Sequence, residues 1–283
     1  MSYLHIPNLY QDRRILLFKE AYAMEKIHGT SAHVGYNGKV YFFSGGSSHD
    51  VFIRLFDKKK LSASFQNMGT QKCVIYGESY GGKCQGMRET YGNEMRFVAF
   101  EVMIGDRWLC VPEAEQIVLS FGLEFVPYQK IPTDIETINF WRDAPSEQSV
   151  RNGIIEERKR EGIVLRPLIE VTANNGARII AKHKGDDFRE TKTPRSLLDD
   201  EEKLQVLSIA IDIANEWVTP QRLNHVLDAF PGASVEKTGD IIKAMAADIE
   251  REGAGEIQFS KEAMKQIGRR TAELFKERCK VIE

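Results

Sequence analysis

The chain separates near residue 195 into a strand-like part and a helix-like part. Before that point, short segments rich in Val, Ile, Phe and Tyr alternate with glycine turns, as in β-sheet proteins. After it, apolar residues recur at helical spacing in four segments, three of which begin with Thr219, Ser234 or Ser260 as candidate N-caps. This change predicts an α+β fold, with a β-rich domain at residues 1–195 and an all-α domain at residues 196–283.

Local signals locate elements within the β-rich part. Asn37-Gly38 stands between two alternating runs and predicts a β-hairpin. The stretch VPEAEQIVLSFGL predicts a helix, because Pro112 lies near its start and Gly122 near its end. Further strands are predicted in RILLFKEAYAM, KCVIYGESY, EMRFVAFEVMI, RWLCV, GIVLRPLIEV and ARIIAKHKG, and a partly helical stretch in PSEQSVRNGIIEERKR.

Composition excludes several classes of protein. The net charge of −2 gives no sign of a polyanionic partner, so any nucleic-acid site has to be a local basic surface. The four cysteines form no CxxC pair, which argues against zinc ribbons and redox dithiols and predicts reduced thiols. No apolar run approaches the roughly 18 residues of a membrane span, and no signal-peptide core precedes a cleavage site. We therefore expect a cytoplasmic protein without membrane contact, and a monomer because no coiled-coil seam is present.

The stretch GESYGGKC, from Gly77 to Cys84, has the spacing of a phosphate-binding loop but not its chemistry. Cys84 stands where such a loop needs a Ser or Thr hydroxyl to hold magnesium. The glycines that follow also argue against the helix that such a loop has to precede. We conclude that this stretch is not a P-loop.

Lys26, in the stretch EKIHGT, is the candidate nucleophile. A lysine between two strand-like runs is either a surface charge at a strand end or an amine with a chemical task. A free lysine amine, with a pKa of about 10.4, is a poor nucleophile at neutral pH, and nearby positive charge or a metal ion lowers that pKa. Lys182 and Lys184 are two residues apart and share one face of a predicted strand, where a nucleotide phosphate would satisfy both charges. That phosphate would also be the electrophile for Lys26.

Three carboxylates lie at or beside predicted strands: Glu78, Glu101 and Glu161. Together, they could bind ribose hydroxyls and a magnesium ion. Taken singly, each of them fits a solvated charge at a strand end better. Their order along the chain is what favours the functional interpretation.

That order resembles the motif order of the covalent nucleotidyltransferases, the polynucleotide ligases and capping enzymes. Between residues 20 and 190 the chain contains, in this order, KxxG, a strand with Glu78, the pair Phe100-Glu101, EGIVLRP and KHK. The stretch EKIHGT looks most like RNA ligases of the T4 RNA ligase 2 type. The resemblance implies an adenylyltransferase domain of antiparallel sheets with flanking helices. It further implies an ATP-dependent RNA ligase that uses Mg²⁺ or Mn²⁺ and joins 5′-phosphate and 3′-hydroxyl RNA ends through lysyl-AMP and an adenylylated 5′ end. A phage-type role in RNA repair in the host cytoplasm fits this resemblance.

The resemblance also implies a role for each matching residue. The catalytic residues would be Lys26, His28, Lys182 and Lys184. The nucleotide-binding residues would be Glu25, Lys26, Ile27, Glu78, Phe100, Glu161, Lys182 and Lys184, and the metal ligands Glu78 and Glu161. Phe100 would stack on adenine, Glu101 would support the site, and His28 would act after lysyl-AMP has formed. Phe100 also fits a core aromatic, and His28 an interior hydrogen-bonding residue.

Two positions depart from the family's pattern. Where related ligases carry an arginine after the hairpin, this chain has Ser44-Gly45-Gly46, so backbone N–H groups there or the side chain of Arg54 would have to bind the substrate phosphate. Arg166 stands in place of a lysine, which keeps the charge but changes its geometry. We expect Arg54 and Arg166 to bind substrate.

The helices after the lysine pair favour an RNA ligase over DNA ligases and capping enzymes, whose families continue into a β-rich OB domain, and they argue against GTP as the donor. By resemblance, the helical domain would grip RNA through cations of residues 219–222 and 266–280, although each cation fits a solvated helix face equally well. Two alternatives remain open: a ligase for nicked DNA or RNA/DNA hybrids, and a non-catalytic RNA-end-binding module.

Overall fold

A computed structural model describes residues 3–46, 48–69, 72–173, 176–188, 201–254 and 256–282. The chain divides into two compact units, one of Met1–Val171 with Ile179–Leu197 and one of Thr172–Arg178 with Leu198–Glu283. The fold is α+β, with two antiparallel sheets and a helical C-terminal part, which confirms the predicted fold class. The predicted domain boundary between residues 195 and 196 lies outside the described residues and stays a prediction.

The strands and helices of the first unit are interspersed along the chain. The strands are β1 (Glu20–Glu25), β2 (Thr30–Tyr36), β3 (Val40–Ser44), β4 (Cys73–Gly81), β5 (Met95–Ile104), β6 (Arg107–Trp108), β7 (Tyr128–Pro132), β8 (Gly162–Pro167) and β9 (Ala181–Lys184). The helices are α1 (His49–Ile53), α2 (Lys58–Asn67), α3 (Arg88–Tyr91), α4 (Val111–Ser120), α5 (Ile135–Asp143) and α6 (Glu147–Arg151). Short 3₁₀ turns cover Arg14–Leu17, Cys84–Gly86 and Asp186–Phe188.

The first sheet has the strand order β7-β1-β8-β9, and all of its neighbours are antiparallel. Its register pairs Glu25 with Ile163, and Gly162 with Lys184. The end of β1, the start of β8 and the end of β9 therefore lie next to each other, at the same end of the strands of this sheet. Leu9, Ile15, Ala21, Ile163 and Leu165 are among the buried residues that pack its core.

The second sheet has the order β3-β2-β4-β5-β6 and contains the predicted hairpin. Tyr36 pairs with Val40, so the predicted hairpin is confirmed and its connection has three residues, Asn37 to Lys39. Gly38 has a φ of +95°, a conformation that glycine adopts without strain. Gly77 in β4 is required for another reason, because a Cβ there would lie 2.3 Å from the carbonyl oxygen of Val98. Residues Cys73–Gly81 form a strand and the next helix, α3, has only four residues, as expected if GESYGGKC is not a P-loop.

Several segment boundaries differ from the sequence prediction. In RILLFKEAYAM, residues Arg14–Leu17 form a 3₁₀ turn and only Glu20–Glu25 form a strand. The turn begins where the carboxylate of Asp12 accepts hydrogen bonds from the backbone and side chain of Arg14. Such side-chain to backbone bonds compete locally with strand pairing. RWLCV contributes a strand of two residues only, Arg107–Trp108.

The second unit is helical, with α7 (Glu201–Trp217), α8 (Pro220–Leu227), α9 (Thr238–Glu252) and α10 (Lys261–Ile282). The predicted caps at Thr219 and Ser260 are confirmed, since their hydroxyls accept hydrogen bonds from the N–H groups of Arg222 and Ala263. Ser234 precedes a 3₁₀ turn instead and makes no side-chain capping bond. Within the described residues, no helix is both long enough and apolar enough to cross a membrane. The four cysteines are free thiols, as predicted.

Candidate active site

Lys26 and Glu161 meet at one end of the central strands of the first sheet, where β1 ends and β8 begins. The backbone N–H of Lys26 donates to the carbonyl oxygen of Gly162 at 3.0 Å, which continues the pairing of the two strands. Gly162 has a φ of +150°, and a Cβ at this position would lie 2.1 Å from the carbonyl oxygen of His183. Only glycine therefore allows β8 and β9 to approach so closely beside Glu161.

Three candidate residues surround the carboxylate of Glu161. Lys26 Nζ lies 2.8 Å and His28 Nδ1 3.1 Å from Oε2, and Lys184 Nζ lies 3.1 Å from Oε1. The Glu161 side chain is only 2% exposed. Burial by itself would raise the pKa of Glu161, but hydrogen bonds from His28 and Lys26 and the charges of both lysines outweigh it and lower that pKa to about 2. Glu161 is therefore ionised at neutral pH, and the ammonium groups of Lys26 and Lys184 lie next to its negative charge.

The two lysines of KHK share one face of β9, as predicted. Lys182 and Lys184 are partly exposed, whereas His183 between them is buried on the opposite face. There, His183 Nε2 lies 2.9 Å from Asn139 Oδ1 and 3.2 Å from Arg142 Nη1. This alternation directs both lysines to the side on which Lys26 lies.

A cavity of about 380 Å³ lies next to Lys26. The predicted site residues that line it are Glu25, Lys26, Ile27, Glu78, Phe100, Glu101, Arg166 and Lys182. Its wall also contains the N-terminal residues 3–6, which the motif analysis missed because they precede every motif. The ring of Tyr3 meets Phe100 edge to face at 4.9 Å, and its hydroxyl donates to the carboxylate of Glu101. The volume is of the size that a small-molecule ligand occupies.

Glu78 lies in β4 and is one of the glutamates that line the cavity. Burial raises its pKa to about 7, with a further contribution from the negative charge of Glu161, while the charge of Lys26 and a hydrogen bond from the Gly29 N–H act in the opposite direction. Glu78 and Glu161 thus have opposite pKa shifts although both lie near Lys26. A divalent cation would favour the ionised form of Glu78.

Glu78→Gln is expected to stabilise the metal-free protein at pH 8. A carboxyl group whose pKa is raised by folding destabilises the fold once the pH passes its unfolded value of 4.5, and the full cost is reached above its folded value of about 7. We expect this cost to be on the order of 3 kcal/mol. Urea denaturation of both proteins in EDTA across this pH range measures it.

The difference in stability between variant and wild type should be small at pH 4.5 and grow as the pH rises. Glu94→Gln is the matched control, because the Glu94 side chain is 80% exposed in the same sheet region. A stability difference that stays constant with pH would contradict the expectation.

The carboxylate of Glu25 is directed away from the expected nucleotide. It accepts hydrogen bonds from the Ser146 hydroxyl and from the backbone N–H groups of Glu147 and Gln148, at 2.5, 2.9 and 3.2 Å. Burial raises its pKa, and the charge of Arg160 together with these hydrogen bonds partly offsets the rise. Any contact of Glu25 with a nucleotide is therefore left to its backbone.

The guanidinium of Arg166 is buried in a network behind the cavity. Its Nη1 lies 2.9 Å from Glu101 Oε1, its Nη2 donates to the carbonyl oxygen of Leu109 at 2.7 Å, and its Nε donates to Glu170 at 3.0 Å. Glu101 has no exposed surface. The pair forms part of the cavity wall, and a role of Arg166 in substrate binding stays a prediction.

The structure does not bring Arg54 into the cavity. Arg54 is exposed and directly follows α1, and its backbone N–H donates to the carbonyl oxygen of Asp50. The backbone N–H of Gly45 already donates to the carbonyl oxygen of Ser31 at 2.9 Å, so it is not available to a phosphate in this conformation.

Carboxylates accompany three of the cations predicted to grip RNA in the helical unit. Arg222 Nη1 lies 2.5 Å from Asp248 Oδ2, and Arg269 and Arg270 lie 3.5 and 3.7 Å from Glu273. These pairs are what a solvated helix face shows. The predicted RNA contact of this unit stays a prediction.

A divalent metal ion fits the carboxylates of Glu78, which lines the cavity, and of Glu161, which contacts the cavity-lining Lys26. Magnesium usually takes one or two protein carboxylates, keeps several waters and binds the phosphates of a nucleotide. Within the described ranges, no group of three or more His, Cys, Asp or Glu side chains could hold a metal ion by itself. The donor set of Glu78 and Glu161 therefore suits an ion that arrives with a nucleotide better than a resident structural metal.

Sequence and fold comparisons both lead to RNA ligases. A family model described as RNA ligase matches residues 19–184. Solved structures of Naegleria gruberi RNA ligase resemble this chain with TM-scores of 0.52: a mutant with AMP and Mn and another with ATP and Mn at 16% identity, and the ligase with PPi at 17%. Each match covers 66% of this chain and 57% of the ligase, so the chain spans less than two thirds of that protein. At this identity the likeness shows a shared fold. No protein with a curated functional description matches the chain.

Proposed function

Because this chain belongs to the RNA ligase family, we propose that it joins a 5′-phosphate to a 3′-hydroxyl RNA end in an ATP-dependent reaction. The observation that carries the proposal is the convergence of Lys26, His28 and Lys184 on the single carboxylate of Glu161, at one end of a cavity lined by Phe100. An isolated surface lysine needs no such surroundings. An amine that attacks a nucleotide phosphate does.

In the first step, the Lys26 amine attacks the α-phosphorus of ATP. A nitrogen–phosphorus bond forms, the bond from the α-phosphorus to the bridging oxygen breaks, pyrophosphate leaves and the amine loses its proton. Lys182 and Lys184 supply positive charge where the phosphate charge develops. The ring of Phe100 offers a stacking surface for adenine.

The ion pair of Lys26 with Glu161 has to loosen before attack, because an ammonium group has no lone pair to donate. Glu78 and Glu161 would hold magnesium, and its positive charge would compete with Lys26 for the carboxylates. His28, at 3.1 Å from Oε2 of Glu161, would keep this carboxylate in place. The AMP passes from Lys26 to the 5′-phosphate of RNA, and a 3′-hydroxyl displaces AMP to form the phosphodiester.

Incubation with [α-³²P]ATP and magnesium, followed by a denaturing gel, tests the first step. We expect label on the protein with ATP and none with [α-³²P]GTP. An unlabelled protein would support a non-catalytic RNA-end-binding module instead.

Nicked duplexes then test the substrate class. With RNA on the 3′-hydroxyl side of the nick we expect sealing, and with DNA on that side we expect little. Equal sealing of an all-DNA nick would contradict an RNA ligase and favour the alternative of a DNA or hybrid ligase.

A further inference from the structure

The residues that directly precede Lys26 and Glu161 are both buried charges. Glu25 precedes Lys26 and its side chain has no exposed surface, and Arg160 precedes Glu161 with a side chain that is 3% exposed. The hydrogen bonds of both side chains go elsewhere than to Glu161 and the lysines around it. Both side chains instead bind the same short turn, Pro145–Gln148, at the start of α6.

Glu25 binds this turn through the N-terminus of α6. Ser146 is the N-cap of the helix, and its hydroxyl accepts from the N–H of Ser149 at 3.0 Å while it donates to Glu25. The other oxygen of Glu25 accepts from the N–H groups of Glu147 and Gln148. Hydrogen bonds from a hydroxyl and helix N–H groups to an ionised carboxylate are among the stronger ones in proteins.

Arg160 binds the other side of the same turn. Its Nε and Nη2 donate to the carbonyl oxygen of Pro145 at 3.1 and 2.6 Å. Its Nη2 lies 4.0 Å from Glu25 and 3.5 Å from Glu147. The backbone adds another link, since the N–H of Ser146 donates to the carbonyl oxygen of Arg158 at 2.7 Å.

The turn therefore links the two chain segments that directly precede the reacting residues. Lys26 and Glu161 are separated by 135 positions in the sequence, yet each is one residue away from a side chain held by the turn. Buried charges are weak contributors to stability, because their desolvation offsets much of the attraction. Fold stability alone is thus a poor reason for two of them here.

We propose that Glu25 and Arg160 are positioning residues that act through the Pro145–Gln148 turn to fix the Lys26 amine relative to the Glu161 carboxylate. The proposal rests on the proposed attack of Lys26 on ATP. It concerns the geometry of that step and assigns neither residue a contact with substrate.

Arg160→Gln tests the proposal in two reactions of one preparation. Single-turnover lysyl-AMP formation at saturating ATP should fall by about 10- to 100-fold, because small displacements of reacting groups have effects of that size. The ATP concentration for half-maximal rate should change by less than about threefold, since no nucleotide contact is removed. Sealing of RNA that already carries a 5′-adenylyl group does not use the Lys26 amine as nucleophile. The sealing rate should therefore fall by a factor that is at least about fivefold smaller than the fall in lysyl-AMP formation.

Two further variants separate positioning from folding. Arg158→Gln is the matched control, because Arg158 lies on the same segment with a 32%-exposed side chain in surface ion pairs, and it should form lysyl-AMP at the wild-type rate. Ser146→Ala leaves both buried charges in place. Its rate of lysyl-AMP formation should also fall more than its sealing rate, but by a smaller factor than in Arg160→Gln. The double variant Glu25→Gln/Arg160→Gln should lose no more than the worse single variant, because both residues act through one turn.

Equal losses in the two reactions, or wild-type lysyl-AMP formation by both Arg160→Gln and Ser146→Ala, would overturn the positioning role and leave the proposed function intact. A wild-type protein that forms no lysyl-AMP would overturn both.

Discussion

Lys26→Ala is expected to form no lysyl-AMP, a loss of at least about 10³-fold, because no other group can replace the attacking amine. The structure supports this role for Lys26, because its Nζ lies 2.8 Å from the buried Glu161 and its side chain lines the same cavity as Phe100. Labelling with [α-³²P]ATP on a denaturing gel measures the effect. The same variant should still seal RNA with a pre-adenylylated 5′ end, because that substrate bypasses the attack by the amine.

Lys39→Ala is the control for Lys26→Ala. Lys39 is an exposed lysine next to the hairpin turn, so its loss should leave labelling unchanged. Label that persists on Lys26→Ala would mean that another residue is the nucleophile. Loss of both labelling and sealing, together with a lowered melting temperature, would show that the substitution damages the fold.

Glu161→Gln is expected to reduce lysyl-AMP formation by about 10²- to 10³-fold, because the carboxylate orients several groups at once and such units respond strongly to the loss of one member. The amide keeps the shape but not the charge, so the contacts of Lys26, His28 and Lys184 with one anion are lost together. Single-turnover rates at several magnesium concentrations measure both the loss and any weaker dependence on the metal ion.

The pH dependence of Glu161→Gln provides a second readout. The pKa of Glu161 is lowered to about 2, so its ionised form contributes stability that is present above pH 4.5 and is lost as the pH falls from 4.5 towards 2. The variant should lack this dependence. Glu157→Gln, an exposed glutamate four positions earlier, is the control and should match wild type in rate and stability. A rate for Glu161→Gln within about threefold of wild type would contradict a central role for this carboxylate.

Much of the site could be predicted because its signals are local. The two-residue spacing of Lys182 and Lys184 places them on one strand face in any sheet, and the structure shows this face. The Asn37-Gly38 turn depends on backbone conformations that few residues adopt. The missing hydroxyl at Cys84 was enough to reject a P-loop.

Other parts of the site depend on distant contacts that no local pattern encodes. The sequence gives no sign that Glu25 and Arg160 share a partner, and only the fold shows that both bind the turn at Pro145–Gln148. Tyr3 precedes all motifs, and the buried position of Arg166 depends on Glu101, 65 positions away in another sheet.

The sequence by itself therefore determined which side chains are candidates for the chemistry and that helices follow the β-rich part, because residue type, periodicity and turn chemistry act over a few residues. Only the tertiary structure decided where each charged group is directed. Whether a charge meets a counter-charge, a helix N-terminus or water depends on strands and turns that fold together from positions more than a hundred residues apart.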